Sequence, residues 1–273
     1  FLPTENIKIP VNTNNVIESG LVNEVDRSLI EDEIIIKIKS QAIYKNRLLM
    51  LDIVSTNNWK RPIYFTGGAF SDEDYIWMKD YLQLDGMCYK LIPIRTKINP
   101  QNPYEMGRVD SEKMIEIVKK WSWGNPNENN IYLDEESRKN SITYRGNISR
   151  LIKQLIFEDK KEKALELLDF TMKKMPIEDY GYYTLLEPFI DSYYLLEDKK
   201  KARKIFTLIS SKYKEKLFYF SGLSENNKIL YSELIYTDIE RYRSLVETIL
   251  PYEDEKYYKE VLNEFNSYLD LFL

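Results

Sequence analysis

Apolar residues are spaced differently in the two halves of the chain. Beyond about Leu133 they recur at three- and four-residue intervals almost without a break, the period of amphipathic helices. Ahead of that point they alternate with polar residues or come in short β-branched runs. Ile7, Ile9 and Val11 alternate within a Pro- and Asn-containing stretch up to about residue 32, which predicts an extended lead-in lying across a surface. Glu33 to Lys39 reads as a strand, and Asn46 to Val54 as a short, mostly buried helix broken by Asn57-Asn58. A second strand begins on Arg61-Pro62 and ends on Gly67-Gly68. Ser71 with Asp72-Glu73-Asp74 then marks a helix start, with the helix running to about Leu82, before a third strand over Met87 to Ile94. Strand, helix, strand, helix, strand predicts a small α/β unit with a three-stranded sheet, parallel pairing being one arrangement it allows.

From Asp110, Met114, Ile115, Ile117, Val118 and Trp121 lie at helical spacing up to Gly124. The polar stretch Asn125 to Asn130 marks a boundary, giving an α/β module with its lead-in over residues 1–130 and an all-α array over 131–273, an α+β chain overall. Within the array Glu158-Asp159-Lys160-Lys161 recurs 39 residues later as Glu197-Asp198-Lys199-Lys200, each copy between two helices. The predicted pairs are 148–157 with 162–174, and 186–196 with 201–213. A third, 228–249 with 253–272, would close the stack. Ala164 early in one second helix, with Pro176 twelve residues on and Leu151, Leu155 and Leu168 at apolar positions, resembles a tetratricopeptide repeat. In the second copy Ala202, Phe189, Tyr193 and Phe206 fit, Lys214 stands where the proline would be, and the consensus glycine is Ile152 in one copy and Ile190 in the other. Stacked pairs of this kind create a concave surface suited to an extended protein or peptide partner.

Composition narrows the chemistry. The 273 residues contain no histidine, which removes serine triads, cysteine–histidine dyads and His-ligated zinc. The single cysteine, Cys88, sits in an apolar run and reads as a core residue. Thirty-nine basic against 44 acidic side chains leave a formal charge of −5, so no overall basic field is present to hold nucleic acid. No stretch approaches the roughly 20 apolar residues of a membrane helix. A chain that begins at Phe1 reads as a piece of a larger protein. Asp72-Glu73-Asp74 and Asp134-Glu135-Glu136 are contiguous acids at helix starts, where side chains fan out around the axis, so they read as caps rather than paired catalysts or metal ligands. Gly67-Gly68 lacks a nucleotide-binding context. No cofactor and no metal is expected. The candidate binding residues are Trp121, Trp123 and Asn125 at the junction, either stacking on sugar or plugging a hinge, and Arg61, Arg138 and Arg145, either clamping an anion or pairing acids such as Asp52 and Asp134. Tyr193 on the repeats completes the set.

Several strings together resemble one family: Ile9-Pro10-Val11, Leu51-Asp52-Ile53, Asn58-Trp59-Lys60-Arg61-Pro62-Ile63-Tyr64-Phe65, and Asp80-Tyr81-Leu82-Gln83-Leu84-Asp85-Gly86 with Leu91-Ile92-Pro93-Ile94. Trp123-Gly124-Asn125, Tyr132-Leu133-Asp134-Glu135 and Arg145 follow. Their order resembles the C-terminal extracytoplasmic region of multi-spanning Bacteroidota membrane proteins of unknown function that are similar to protein O-mannosyltransferases. Asp85 departs from the glutamate expected there. The resemblance implies a periplasmic location, membrane attachment through upstream segments, and catalytic acids in the membrane-embedded part, so that no catalytic residue carries over to this chain. It further implies a non-catalytic accessory domain binding a protein acceptor or partner. The alternatives are a carbohydrate-binding module using Trp121, Trp123 and neighbouring tyrosines, and a free-standing enzyme using carboxylates and arginines.

Overall fold

The structure, a computed structural model, describes residues 5–38, 43–66, 77–97, 106–123, 131–181 and 185–272. It divides into two compact units, Phe1–Ser122 and Trp123–Leu273. The chain is α+β, with two small sheets in the first unit and a helical array in the second.

In the first unit, β1 (Asn6–Pro10) pairs antiparallel with β2 (Glu33–Lys37), placing Ile7 opposite Ile36 and Ile9 opposite Ile34. The lead-in is therefore part of the core rather than a strap across it. Alternation puts Ile9 inside, 2% exposed, and Val16 of α1 (Thr13–Glu18) is fully buried. The indole of Trp59 donates to the Pro10 carbonyl at 2.8 Å and fastens the same segment. α2 (Lys45–Thr56) buries only Leu51 and Val54, whereas Leu48, Leu49 and Ile53 are more than half exposed. A helix docked on one side buries one stripe, so a run of consecutive apolar residues cannot all be covered.

The second sheet has the order β3-β5-β4, with β3 (Tyr64–Thr66), β4 (Leu82–Asp85) and β5 (Cys88–Leu91), and it is antiparallel throughout. Parallel pairing is excluded by the connection. Asp85 pairs with Cys88 across the two-residue turn Gly86-Met87, and such a turn joins only antiparallel strands. Gly86 has φ +68°, as the first central position of a II′ turn requires. A Cβ there would stand 2.7 Å from Cγ2 of Ile117. The helix expected over 71–82 does not reach Leu82: residues 71–76 lie outside the described set, and from Trp77 the chain turns through a 3-10 segment (Lys79–Tyr81) into β4. The L-Q-L-D alternation followed by Gly is a hairpin signal that the helical reading passed over.

α3 (Ser111–Lys119) is capped by the Asp110 carboxylate, which accepts the Lys113 N–H at 3.1 Å, and it stops at Lys120 rather than Gly124. One face of the second sheet carries Gln83, Asp85, Cys88 and Lys90. Cys88 is half-buried rather than a core residue: it opens β5 at the turn, and its register sets it on this polar face opposite Asp85 and Thr66. Lys90 and Asp85 are both buried and form an ion pair at 3.2 Å. The Gln83 amide donates to Asp85 at 2.8 Å, and the Tyr64 hydroxyl does so at 3.3 Å.

The second unit is built of α4 (Glu135–Phe157), α5 (Lys161–Lys174), the one-turn α6 (Ile177–Tyr180), α7 (Glu187–Leu195), α8 (Lys199–Ser221), α9 (Glu225–Leu230), α10 (Ser232–Ile249) and α11 (Glu255–Leu269). The Asp134 carboxylate accepts the Ser137 N–H at 2.7 Å, so this acidic run is a helix cap. That bond also lowers the Asp134 pKa. α4 packs on α5 and α7, α7 on α8 and α10, and α8 on α10 and α11.

Candidate functional site

The two helix pairs α4–α5 and α7–α8 are joined by the same turn. After α4, the N–H of Lys160 bonds to the Leu155 carbonyl at 2.8 Å and that of Asp159 to Ile156 at 3.0 Å. After α7, Asp198 bonds to Tyr193 at 2.9 Å and Glu197 to Tyr194 at 3.0 Å. These are Schellman caps, and their left-handed residues, Asp159 (φ +57°) and Glu197 (φ +64°), lie one residue out of phase with the recurring acidic-basic string. The structural period is thus 38 residues, the spacing that relates Ala164 to Ala202, Leu168 to Phe206 and Ile152 to Ile190, all buried. Packing sets the period, because only the buried positions and the turn must superpose.

A groove of about 330 Å³ runs along the second helices of these pairs. The end of α5 contributes Met172, the turn into α6 contributes Pro176 and Ile177, and α8 contributes Ile205 and Leu208. Of the first helices, α4 and α7, only Tyr193 reaches it. Helical periodicity places these residues together: Lys201, Lys204, Ile205 and Leu208 form one stripe of α8 at i, i+3, i+4, i+7. The floor is apolar and the rim is basic, with Lys173, Lys201 and Lys204 set against Glu178, the one acid among its described lining residues.

The cations differ in commitment. Lys201 pairs with Asp169 at 2.7 Å and with Asp198 at 3.1 Å, and its ammonium lies 5.7 Å from the Tyr193 ring centre. The Tyr193 hydroxyl donates to the other oxygen of Asp169 at 2.8 Å. Burial and this bond both push the Tyr193 pKa up, and the bond to Asp169 raises that of Lys201. Lys173 and Lys204 are exposed, and neither has an ion pair among the described residues. Lys173 sits in the last turn of α5, where the helix dipole favours a cation.

The other predicted site residues are dispersed. Trp121 lies in the first unit, its indole against the Gly86 turn. Trp123 opens the second unit, its ring edge-on to Phe170 at 5.4 Å and tilted against Tyr144 at 6.4 Å. Asn125 lies outside the described residues. Arg61 is exposed in the first unit, and its carbonyl accepts the Asn57 amide at 2.7 Å. Arg138 donates from Nε to the Leu133 carbonyl at 2.8 Å and lies over the Tyr132 ring. Arg145 is 1% exposed and donates to the carbonyls of Gly181 at 2.7 Å and Met175 at 2.9 Å, bracing the α5–α6 turn beside the groove. Burial pulls its guanidinium down to about 10. Among the described candidates, only Tyr193 lines the groove. Surface lysines on a helix ordinarily read as solvation; the stripe that Lys201 and Lys204 share with Ile205 and Leu208 is the signal the sequence carries.

A second polar centre lies at the far end of α7. Glu253 accepts from Arg203 through both oxygens, at 2.7 and 2.5 Å, from Lys199 at 2.7 Å and from the Tyr194 hydroxyl at 2.7 Å. Tyr194 stacks on Tyr252 at 4.7 Å. Arg203, Lys199 and Tyr194 all converge on this one carboxylate, which marks a structural clamp. Another concavity of about 430 Å³ between α9 and α10 is mainly apolar, and its Lys228 is paired with Glu225. Among the described residues no cluster of Asp, Glu or Cys is placed to hold a metal ion. No helix among them is long and apolar enough to cross a membrane.

By fold this is an α+β chain in which a small two-sheet unit precedes a helical array carrying an apolar, basic-rimmed groove. Residues 1–113 match the family model described as TMEM260-associated domain 2. The match ends inside α3, so the helical array lies beyond it. No curated protein and no solved structure matches the chain.

Proposed function

We propose that this chain is a non-catalytic accessory region on the extracytoplasmic, periplasmic face of a membrane protein, and that its helical array takes a protein acceptor or partner. The array's pairs are read as tetratricopeptide-like. The observation that carries partner binding is the groove: a solvent-open apolar floor beside cations that no acid of the described chain engages. Attachment to a membrane enzyme is supported by the match of residues 1–113, TMEM260 being a protein O-mannosyltransferase-like membrane protein. In such a protein the array would hold the acceptor while chemistry proceeds elsewhere, raising its effective concentration at the catalytic part.

The test is site-specific photo-crosslinking in cells, with a benzophenone amino acid at Leu208 on the groove floor and, as control, at Leu48 on exposed α2. The expected result is a discrete adduct from Leu208, absent from Leu48, whose partner is an envelope protein bearing O-linked sugar. Absence of adducts from Leu208 and from the rest of the exposed array would refute the reading.

A further inference from the structure

The geometry points to an acidic, extended peptide as the occupant of the groove between α5 and α8, an apolar side chain seated on its floor and a neighbouring carboxylate paired with Lys173 and Lys204. This assignment rests on the reading that the array takes a partner. It places that partner on the second helices of the pairs.

Three features select the occupant. The volume, about 330 Å³, is at the lower limit of the roughly 300–1,000 Å³ of ligand pockets and suits one or two side chains rather than a long acyl chain. The floor contains Met172, Leu208 and the half-buried Pro176, surfaces that adapt to an aliphatic side chain; its one aromatic among the described residues, Tyr193, is 2% exposed and offers no face for a sugar to stack on. The rim supplies two cations that pair with no acid among the described residues. Asp169 and Asp198 hold Lys201, so the cations left for a ligand are Lys173 and Lys204. Glu178 lies on the same rim and disfavours a segment acidic along its whole length, which leaves a carboxylate placed next to the apolar residue.

The test uses fluorescence anisotropy with the whole chain and a dye-labelled nonapeptide carrying a central leucine flanked by aspartates on a glycine–serine background. Control peptides replace the aspartates with lysine or the leucine with serine, and laurate is the competitor. The expected result is binding of the acidic leucine peptide, weakened by added salt and about tenfold weaker for the doubly reversed variant Lys173→Glu/Lys204→Glu. Lys173→Gln/Lys204→Gln, which removes charge without adding repulsion, should weaken it about threefold. Leu208→Arg should abolish it. Helical circular dichroism confirms that each variant is folded; both lysines are exposed, so the charge variants break no ion pair of the described chain. Equal binding to wild type and Lys173→Glu/Lys204→Glu, no binding of the acidic leucine peptide, or saturation by laurate in its place would each overturn the assignment. If the peptide fails while Leu208 still crosslinks a partner in cells, the array binds a partner of other chemistry and only this assignment falls. If both fail, the functional reading falls with it.

Discussion

Replacing Glu253 by glutamine tests whether the clamp at the end of α7 holds the later helices together, as its geometry requires. Its side chain is fully buried between partners that are not: the side chains of Lys199 and Arg203 are 46% and 38% exposed. Burial raises the carboxyl pKa, but the bonds from Arg203, Lys199 and Tyr194 outweigh it and bring the carboxyl down from 4.5 to about 2. At roughly 1.4 kcal/mol per pKa unit the ceiling is about 3.5 kcal/mol. Because the cations can be rehydrated, about 1–2 kcal/mol is the expected net contribution. Since the folded pKa lies below the unfolded one, this stability is present above about pH 4.5 and is lost as the pH falls toward 2. Urea unfolding followed by circular dichroism at pH 7 should therefore show Glu253→Gln destabilised by about 1–2 kcal/mol, and at pH 2 the variant and the wild type should converge. A difference below about 0.3 kcal/mol at pH 7, or one that persists unchanged at pH 2, would refute the account.

Glu187, at the start of α7, has the opposite sign. Burial raises its carboxyl to about 7 despite bonds from its own and the Leu186 backbone N–H and the attraction of Arg241. Its stabilising contribution is fully present below about pH 4.5 and lost as the pH rises through 7, so Glu187→Gln should gain about 1–2 kcal/mol over wild type at pH 8 and little at pH 5, read by the same urea titration. In the first unit, Lys90→Met should cost about 3–5 kcal/mol by stranding buried Asp85, and adding Asp85→Asn should recover more than half of it. Urea unfolding followed by tryptophan fluorescence checks this, and a double variant no more stable than the single one would show that the pair is not the source of the loss.

Much of the helical array was legible in the sequence, and for one reason. Each amphipathic helix announces its buried stripe locally, so Ala164, Leu168, Ala202 and Phe206 could be placed inside from spacing alone. The first unit was less legible because its elements depend on partners distant in the chain. The lead-in became a core strand only because Ile34 and Ile36 accept it, and L-Q-L-D became a strand only because β5 pairs with it. The same holds for the candidate residues. Arginine and tryptophan were chosen for what such side chains can do, yet their neighbours decided otherwise: Arg145 became a brace for backbone carbonyls, and Trp123 packs on Phe170.

By itself, then, the sequence determined the helical second half, its pairing into repeats, the acidic helix cap at Asp134 and the absence of any histidine-based chemistry, since all of these follow from composition or from spacing within one element. Only the tertiary structure decided the antiparallel sheets, the 38-residue period and the groove. Each of those depends on residues far apart in sequence meeting: the register of a strand against its partner, the superposition of two turns, and the approach of Met172 and Pro176 to Ile205 and Leu208 that leaves two lysines at the rim with no acid among the described residues to hold them.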